Sequence, residues 1–504
     1  MLNNILSYIL VTPLLGALAV LAIPKSERQL HRYAALFTAL VTFFLACLMM
    51  WRFDRSAPGI QFIESHPWVE SLKIAYLLGV DGVSVYLIPL TALIFLLGVI
   101  SSWEVTQGVK GFFSLFLLLE ATILGTFMAQ DLFLFFAFWE ASILPVYFML
   151  GVWGHEKRVQ AATKFFIFQL AGGVFMLLAL LAIYYMAEPH TFSMVELAAM
   201  ASPLSSKTVS LLGHEVPFAE AAFIMLLLGF AVRIPAFPLH SWYVEAQSEA
   251  PVAIAVVLAA LFLKTGAYGL LRVNYTLFPG AAQWMASSIA TLGIVNILYG
   301  ALCALGQKDI RKLVAYMCIS HMGFVLLGLG VFTQTSFHGA LLHMICHGIY
   351  ASLLVFLTGA LGERTGHYNI VSDDPRKTFG GLVVRIPVLS GFFTVGVFAA
   401  VGIPGLAGFP PESLVFLGTF PEKRVLTVLA LCGLLLTAGY FLWMYRRVFL
   451  GAPGSSTESM VDLTLREKVF LTPLAVVCVV AGIYPTPFLN LSAATLSQIL
   501  SALK

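Results

Sequence analysis

The sequence predicts an all-α polytopic membrane protein of about fourteen transmembrane helices, and three observations predict it. Of its 504 residues, 60% are apolar and 11% are charged, with mean hydropathy +0.93; an average soluble domain is about 25% charged. The apolar residues fall into runs of the length that crosses a bilayer core, about 20 residues. Those runs end at charged or Pro/Gly clusters. A water-soluble fold could not hide so much apolar surface, because even large domains keep a broad solvated shell.

In chain order, spans one to fourteen run approximately 5–23, 33–51, 80–101, 112–129, 131–151, 161–186, 218–239, 251–272, 284–305, 312–332, 336–361, 386–420, 425–449 and 468–489. The first is too long for a signal peptide and lacks a small-residue cleavage site, so it counts as a span. An even number puts both ends on one side. With the N-terminus outside, the inner loops carry eighteen Lys and Arg and the outer loops eight, leaving Arg233 and Lys264 within spans. The positive-inside rule then predicts both termini on the non-cytoplasmic side of a bacterial-type inner (cytoplasmic) membrane.

Three longer loops read as connectors or lids. Residues 52–79 hold a strand-like alternation (Trp68, Glu70, Leu72, Ile74, Tyr76) that predicts an outer hairpin. Residues 187–217 are small, polar and proline-bearing, and residues 362–385 include the charged stretch Asp373-Asp374-Pro375-Arg376-Lys377.

Several function classes are disfavoured. A net charge of +3 leaves no basic tract for nucleic acid. Cys47, Cys303, Cys318, Cys346, Cys432 and Cys478 lie singly in apolar runs, with no metal-ligand spacing for zinc or an iron–sulfur cluster. No phosphate loop or dinucleotide fingerprint is present. These features argue against a redox or nucleotide enzyme acting alone, and predict no cofactor and no metal in this chain.

Two spans are interrupted. Span seven contains Arg233-Ile-Pro235-Ala-Phe-Pro238-Leu-His240, and span twelve contains Gly402-Ile-Pro404-Gly-Leu-Ala-Gly408-Phe-Pro410-Pro411-Glu412. Proline removes an internal hydrogen bond and forces a kink or break. In lipid the freed carbonyls need partners, so such breaks persist where protein or a watered cavity surrounds them. The breaks are five spans apart, and matched interruptions point to repeated transporter units. Spans four to eight (111–273) and nine to thirteen (283–449) then form two five-helix repeats, inverted because five is odd. Residues 1–110 and 450–504 flank them within one integral membrane domain, 1–504.

Ionisable groups at bilayer depth are expensive, and function is their default reading. Glu140 lies near the centre of span five and Glu120 at the middle of span four. Lys264 lies just past the midpoint of span eight, Arg233 just before the span-seven break and Glu412 just after the span-twelve break. His321, His343 and His347 occupy spans ten and eleven. Burial disfavours an ammonium and a nearby carboxylate restores it, so moving a partner can switch the charge of a buried lysine. Histidine passes protons through either nitrogen. The set is therefore a proton-handling inventory. Static ion pairing remains open for Glu140 and Lys264, a structural role for Glu120, and metal ligation for His343 and His347, which lack a third ligand in register.

Gly79-Val-Asp81-Gly82-Val-Ser84, Phe138-Trp-Glu140-Ala-Ser-Ile-Leu-Pro145, Pro235-Ala-Phe-Pro-Leu-His240-Ser-Trp242, Glu249-Ala-Pro251, Leu263-Lys264-Thr-Gly266-Ala-Tyr-Gly269, Ile319-Ser320-His321-Met-Gly323-Phe and Met344-Ile-Cys-His347-Gly348 together resemble the antiporter-like subunits of respiratory complex I, from about residue 79 to 450. The M-type branch fits best: Glu412 stands where the L- and N-types usually have lysine, and the chain stops some fifteen residues past span fourteen, without the long lateral helix of the L-type. The resemblance implies that Glu140 pairs with a span-seven base, that Lys264 is the central proton carrier, and that His321 and His347 lead to Glu412 as exit group. His240 matches the family histidine ending the span-seven motif. It also implies L-type and N-type neighbours in the bilayer, with NADH, FMN, iron–sulfur clusters and quinone handled by other subunits. One position departs: the family typically has lysine where this chain has Arg233, and arginine is effectively never deprotonated. Rival readings are an Mrp-type cation/proton antiporter subunit, a ferredoxin- or hydrogenase-linked pump, and a structural spacer. A spacer has no need of mid-depth charges.

Overall fold

The computed structural model describes residues 4–211, 213–372, 374, 379–451 and 460–503. Most of the charged stretch 373–377 therefore lies outside the described residues.

Among the described residues, eleven helices are individually long and apolar enough to cross a membrane, and twelve if the bent pair Leu465–Ile483 and Thr486–Leu503 is one span. They fall at the positions expected for spans one to six, eight to eleven, thirteen and fourteen. The count of fourteen depends on adding the two interrupted helices, which do not reach that length on either side of their breaks. Span seven divides into Phe218–Arg233 and Ser241–Glu249. The second half extends through residues that the sequence reading left as a connector, because Pro235 and Pro238 break the helix without ending it. Span twelve divides into Pro387–Val401 and Phe409–Thr419.

Helix starts follow local chemistry. Asp131 accepts from the backbone N–H of Phe133 and Leu134 (both 3.0 Å) to open span five. Asp309 does the same for Arg311 (2.8 Å) at span ten. Thr464 and Glu467 form a capping box at span fourteen. Pro279 and Pro387 occupy first-turn positions, where their missing N–H costs nothing.

Spans eight and eleven are wholly enclosed, while only a third of the apolar stretch is buried in spans two and thirteen and 44% in span one. Large apolar side chains such as Phe37, Leu435 and Val425 face outward, as suits contact with lipid or another subunit. The ends of the bundle are distinct. At one end, the loops after spans two, six and eight meet the C-terminal helix. The expected hairpin is there, pairing Gln61–Val69 with Ile74–Val80. Its turn, Glu70–Leu72, falls in the middle of the residues read as one alternating strand. Glu64 of the hairpin accepts from the N–H groups of Leu6 (2.8 Å) and Ser7 (3.0 Å), satisfying the start of span one. The segment 187–217 is more than a connector: it holds the helix Met194–Ala199 and a hairpin of Thr208–Leu211 with His214–Pro217. At the other end, Arg364 makes a two-pronged pair with Glu467 (2.7 Å each), and Arg466 pairs with Glu104 (2.6 Å). His155 lies at this end, where burial and then the Arg311 guanidinium hold it below its ordinary range.

The span-twelve break closes on glycines. Gly402 takes φ +78° and ends the first half-helix, and a Cβ at Gly408 would stand 1.9 Å from the Ala399 carbonyl oxygen. Gly408→Ala must therefore move backbone. We expect a loss of about 1–3 kcal/mol, the usual cost of overpacking, read as a lower melting temperature and lower yield of the assembled protein.

Candidate functional site

Span eight carries the central charge. Two π-helical turns, Leu258–Phe262 and Leu270–Asn274, flank its Leu263–Gly269 segment. Such bulges widen the helix and recur at functional sites. Lys264 Nζ donates to the Ala259 carbonyl inside the first π turn (2.5 Å) and lies 2.6 Å from His347 Nδ1 on span eleven. Lys264 is fully buried. Among the described residues no carboxylate comes within ion-pair distance of it, so its partners are neutral.

From His347 the polar groups continue across the enclosed core. The His347 ring stacks on His321 of span ten at 5.7 Å, and His321 stacks on His343 at 5.5 Å. His321 Nδ1 lies 2.7 Å from the Tyr350 hydroxyl and 3.8 Å from Glu412 Oε1. The Tyr350 hydroxyl is also 3.5 Å from His343 Nε2. His321, His343 and Glu412 each place a ligand atom within 4.8 Å of the others. This set is not the His343–His347 pair read from the sequence, since His347 is not in it; His321 and Glu412 join His343 instead, and the three could hold a borderline divalent ion such as zinc. The same atoms are spaced for proton transfer. Tyr350 is the member that sequence reasoning did not find. His343 stood in the proton-handling inventory and as a candidate ligand without being named as a link towards Glu412, and no local pattern marks Tyr350.

Arg233 is held rigidly. Its guanidinium donates to Gln169 Oε1 (3.3 Å), Thr265 Oγ1 (3.3 Å), the Trp139 carbonyl (2.5 Å) and Ser142 Oγ (2.9 Å). It is sandwiched between Trp139, 3.7 Å from the ring centre, and Phe262, at 4.2 Å. The expected direct pair with Glu140 is not formed among the described residues. Arg233 holds the backbone beside Glu140, and it reaches Lys264 through its neighbour Thr265. The Glu140 carboxylate lies over Gly173 of span six, where a Cβ would stand 2.1 Å from Oε1. Glu412 has the same arrangement, with Oε2 2.4 Å from a Cβ built on Gly402.

Two predicted residues sit apart. Glu120 is fully buried, and neither carboxylate oxygen has a partner among the described residues. His240 lies in the span-seven break, with Nε2 3.1 Å from the Tyr299 hydroxyl of span nine. That break is satisfied from span nine as well, since Asn296 accepts from Phe237 N–H (2.8 Å) and donates to the Pro235 carbonyl (3.4 Å).

A polytopic membrane protein with broken helices and a buried Lys/His/Glu chain is, by class, an ion-translocating one. Residues 129–437 match the family described as NADH:quinone oxidoreductase/Mrp antiporter, TM. The chain is 36% identical to NADH-quinone oxidoreductase subunit M of Rhodobacter capsulatus, covering 96% of this chain and 94% of the relative. It is also 36% identical to NAD(P)H-quinone oxidoreductase chain 4 of Gloeobacter violaceus, over 98% and 92%. Among solved structures it superposes on a chain of respiratory complex I from Thermus thermophilus with bound NADH (TM-score 0.87, 28% identity, 99% of this chain and 100% of that one). A chain of the Mrp complex from Dietzia shares the fold at TM-score 0.84 and 19% identity, covering 100% of each. The chain belongs to the NADH:quinone oxidoreductase/Mrp antiporter family of membrane subunits, among relatives named as subunit M or chain 4.

Three variants probe the site. Gly173→Ala presses only on the end of a flexible side chain, so the protein should assemble while the Glu140 carboxylate is displaced. A shift of ~1 Å can cost up to about 10²-fold, so coupled proton transport should fall roughly tenfold or more. Arg233→Met keeps a long stem and deletes the charge, and should impair turnover severely. Arg233→Lys should retain substantial transport, since the charge survives the loss of the fork. Equal transport by the two Arg233 variants, normalised to assembled protein, would assign Arg233 to packing alone.

Proposed function

We propose that this chain is the proton-translocating M-type membrane subunit of an NADH:quinone oxidoreductase. It couples quinone reduction elsewhere in the complex to proton movement through Glu140, Arg233, Lys264, His347, His321 and Glu412. The observation that carries this reading is the 2.6 Å contact between Lys264 and His347, continued by stacked histidines to Glu412. Lys264 gives its proton to the imidazole when a moving carboxylate withdraws its support, and the histidines and Tyr350 pass it on. Arg233 acts as a permanent charge biasing that exchange. Glu120 and His240 serve as auxiliary groups facing the same core.

In this reading the chain lies between L-type and N-type antiporter-like neighbours in a bacterial-type cytoplasmic membrane. Both termini face away from the cytoplasm, and spans four to eight and nine to thirteen form inverted repeats. NADH, FMN, iron–sulfur clusters and quinone are bound by other subunits. The curated relatives, named for quinone oxidoreduction at 36% identity, favour this over a free-standing Mrp antiporter.

Lys264→Ala removes the switchable charge with little loss of packing, and should abolish most proton transport in a normally assembled complex. Quinone reductase activity and proton uptake would be measured in membranes with matched subunit content. Wild-type pumping by the variant would sink the relay.

A further inference from the structure

His321, His343 and Glu412 come from spans ten, eleven and twelve, and the fold turns all three towards one point. One ligand atom of each lies within 4.8 Å of the others, and no member is more than 2% exposed. Each keeps a polar atom without a hydrogen-bond partner among the described residues: Nε2 of His321, Nδ1 of His343 and Oε1 of Glu412. An unpaired buried polar atom costs about 1–3 kcal/mol and is seldom left so. Three such atoms in one cluster mark a place built to take an occupant. The Tyr350 hydroxyl borders it, 2.7 Å from His321 Nδ1 and 3.5 Å from His343 Nε2.

The donor set says which occupant fits. Two imidazole nitrogens and one carboxylate oxygen suit borderline divalent ions, and three such protein ligands with one open position make a zinc site. Magnesium and calcium prefer oxygen throughout. At zinc bond lengths of about 2.0–2.2 Å, tetrahedral ligand atoms stand roughly 3.4 Å apart. Atoms no more than 4.8 Å apart close on an ion by each moving less than ~1 Å. Glu412 also joins the cluster to the outside of the bundle. Its Oε1 lies 3.8 Å from His321 Nδ1, while its Oε2 lies over Gly402 in the span-twelve break. Ile403 and Pro404 of that break are exposed.

We infer that His321, His343 and Glu412 bind a borderline divalent cation of the zinc class, which enters at the span-twelve break and arrests proton transfer while it is bound. The metal site stands on the cluster itself, and its effect on transport rests on the relay proposed above. A coordinated imidazole nitrogen has given up the lone pair with which it accepts a proton. Glu412 ligates as the carboxylate, so any proton it holds is released when the ion binds.

The test uses the whole complex, stripped with a chelator and dialysed against zinc chloride. Bound zinc per assembled complex is counted by elemental mass spectrometry, and zinc held by other subunits cancels between variant and wild type. His343→Ala should hold one zinc fewer than wild type. Glu412→Gln, which keeps the side chain's size and so the packing, should bind that zinc at least tenfold more weakly. His338→Ala, on the same span but outside the cluster, should hold the wild-type number. Zinc should lower proton uptake by wild-type complex in vesicles at least tenfold, reversibly on chelation, and magnesium at the same concentration should not. Wild-type zinc content and affinity in both His343→Ala and Glu412→Gln would overturn the metal site and leave the relay, which Lys264→Ala tests separately. Full proton uptake by wild type carrying the extra zinc would overturn the arrest, and with it the passage of protons through these three residues.

Discussion

The structure depends on an ammonium group that has only neutral partners. Lys264 meets the Ala259 carbonyl and His347 Nδ1 and no carboxylate among the described residues. Water is absent from hydrocarbon and an unpaired charge there is costly, so the surrounding helices must either share the proton or lend it support from nearby. Two unit charges ~4 Å apart interact by roughly 4 kcal/mol at an effective dielectric of 20. That is about a thousandfold in a protonation equilibrium, enough for a carboxylate moving by a few ångströms to decide where the proton resides. The enclosure of spans eight and eleven keeps this interaction strong, because screening by bulk water would erase it.

Charge at mid-depth also explains where the backbone is irregular. Each break leaves carbonyl and N–H groups that lipid cannot satisfy, and each is repaired from within the bundle. Asn296 serves the span-seven break, while the span-twelve break is closed by its own glycine turns. The two carboxylates flanking this machinery share one device. Glu140 lies against Gly173 and Glu412 against Gly402, in spaces that any side chain would fill. A carboxylate over a missing Cβ keeps room to reorient, which a charge that must respond to its neighbours needs.

Much of this was legible in the sequence. Hydropathy runs located the spans because a bilayer imposes length, and Pro/Gly clusters located the breaks because proline cannot continue a helix. Glu140, Arg233, Lys264, His321, His347 and Glu412 stood out because charge inside an apolar run is rare. What stayed hidden depends on distance along the chain. Arg272 counted as an outer-loop cation, since its partner Asp81 lies 191 residues away. Gln169, Ser142 and the Trp139 carbonyl, which hold Arg233, are ordinary residues whose role exists only once spans five, six and seven pack. The tail after span fourteen read as a short end, yet it forms the helix Thr486–Leu503 across the bundle. Its apolar positions were too few and too mixed with Ser, Thr and Gln to register as a further span.

The placement of π turns ties these pieces together. A π turn inserts one residue into a helix and rotates everything beyond it by about 100° relative to a regular α-helix. Span eight has one such turn before Lys264 and one around Arg272. A regular helix would fix the mutual direction of these two side chains and of Thr265, the contact to Arg233. With the turns inserted, Lys264 meets span eleven, Thr265 meets span seven, and Arg272 reaches Asp81 beside the hairpin. A single buried helix thereby addresses three neighbours. The sequence hints at why it can deform there: Gly266 and Gly269 lie between the two turns, where a Cβ would meet the Phe230 carbonyl and ring respectively. Spans seven and eight approach closely at those glycines, and that contact keeps Arg233 within reach of Thr265 while the rest of span eight turns its charges elsewhere.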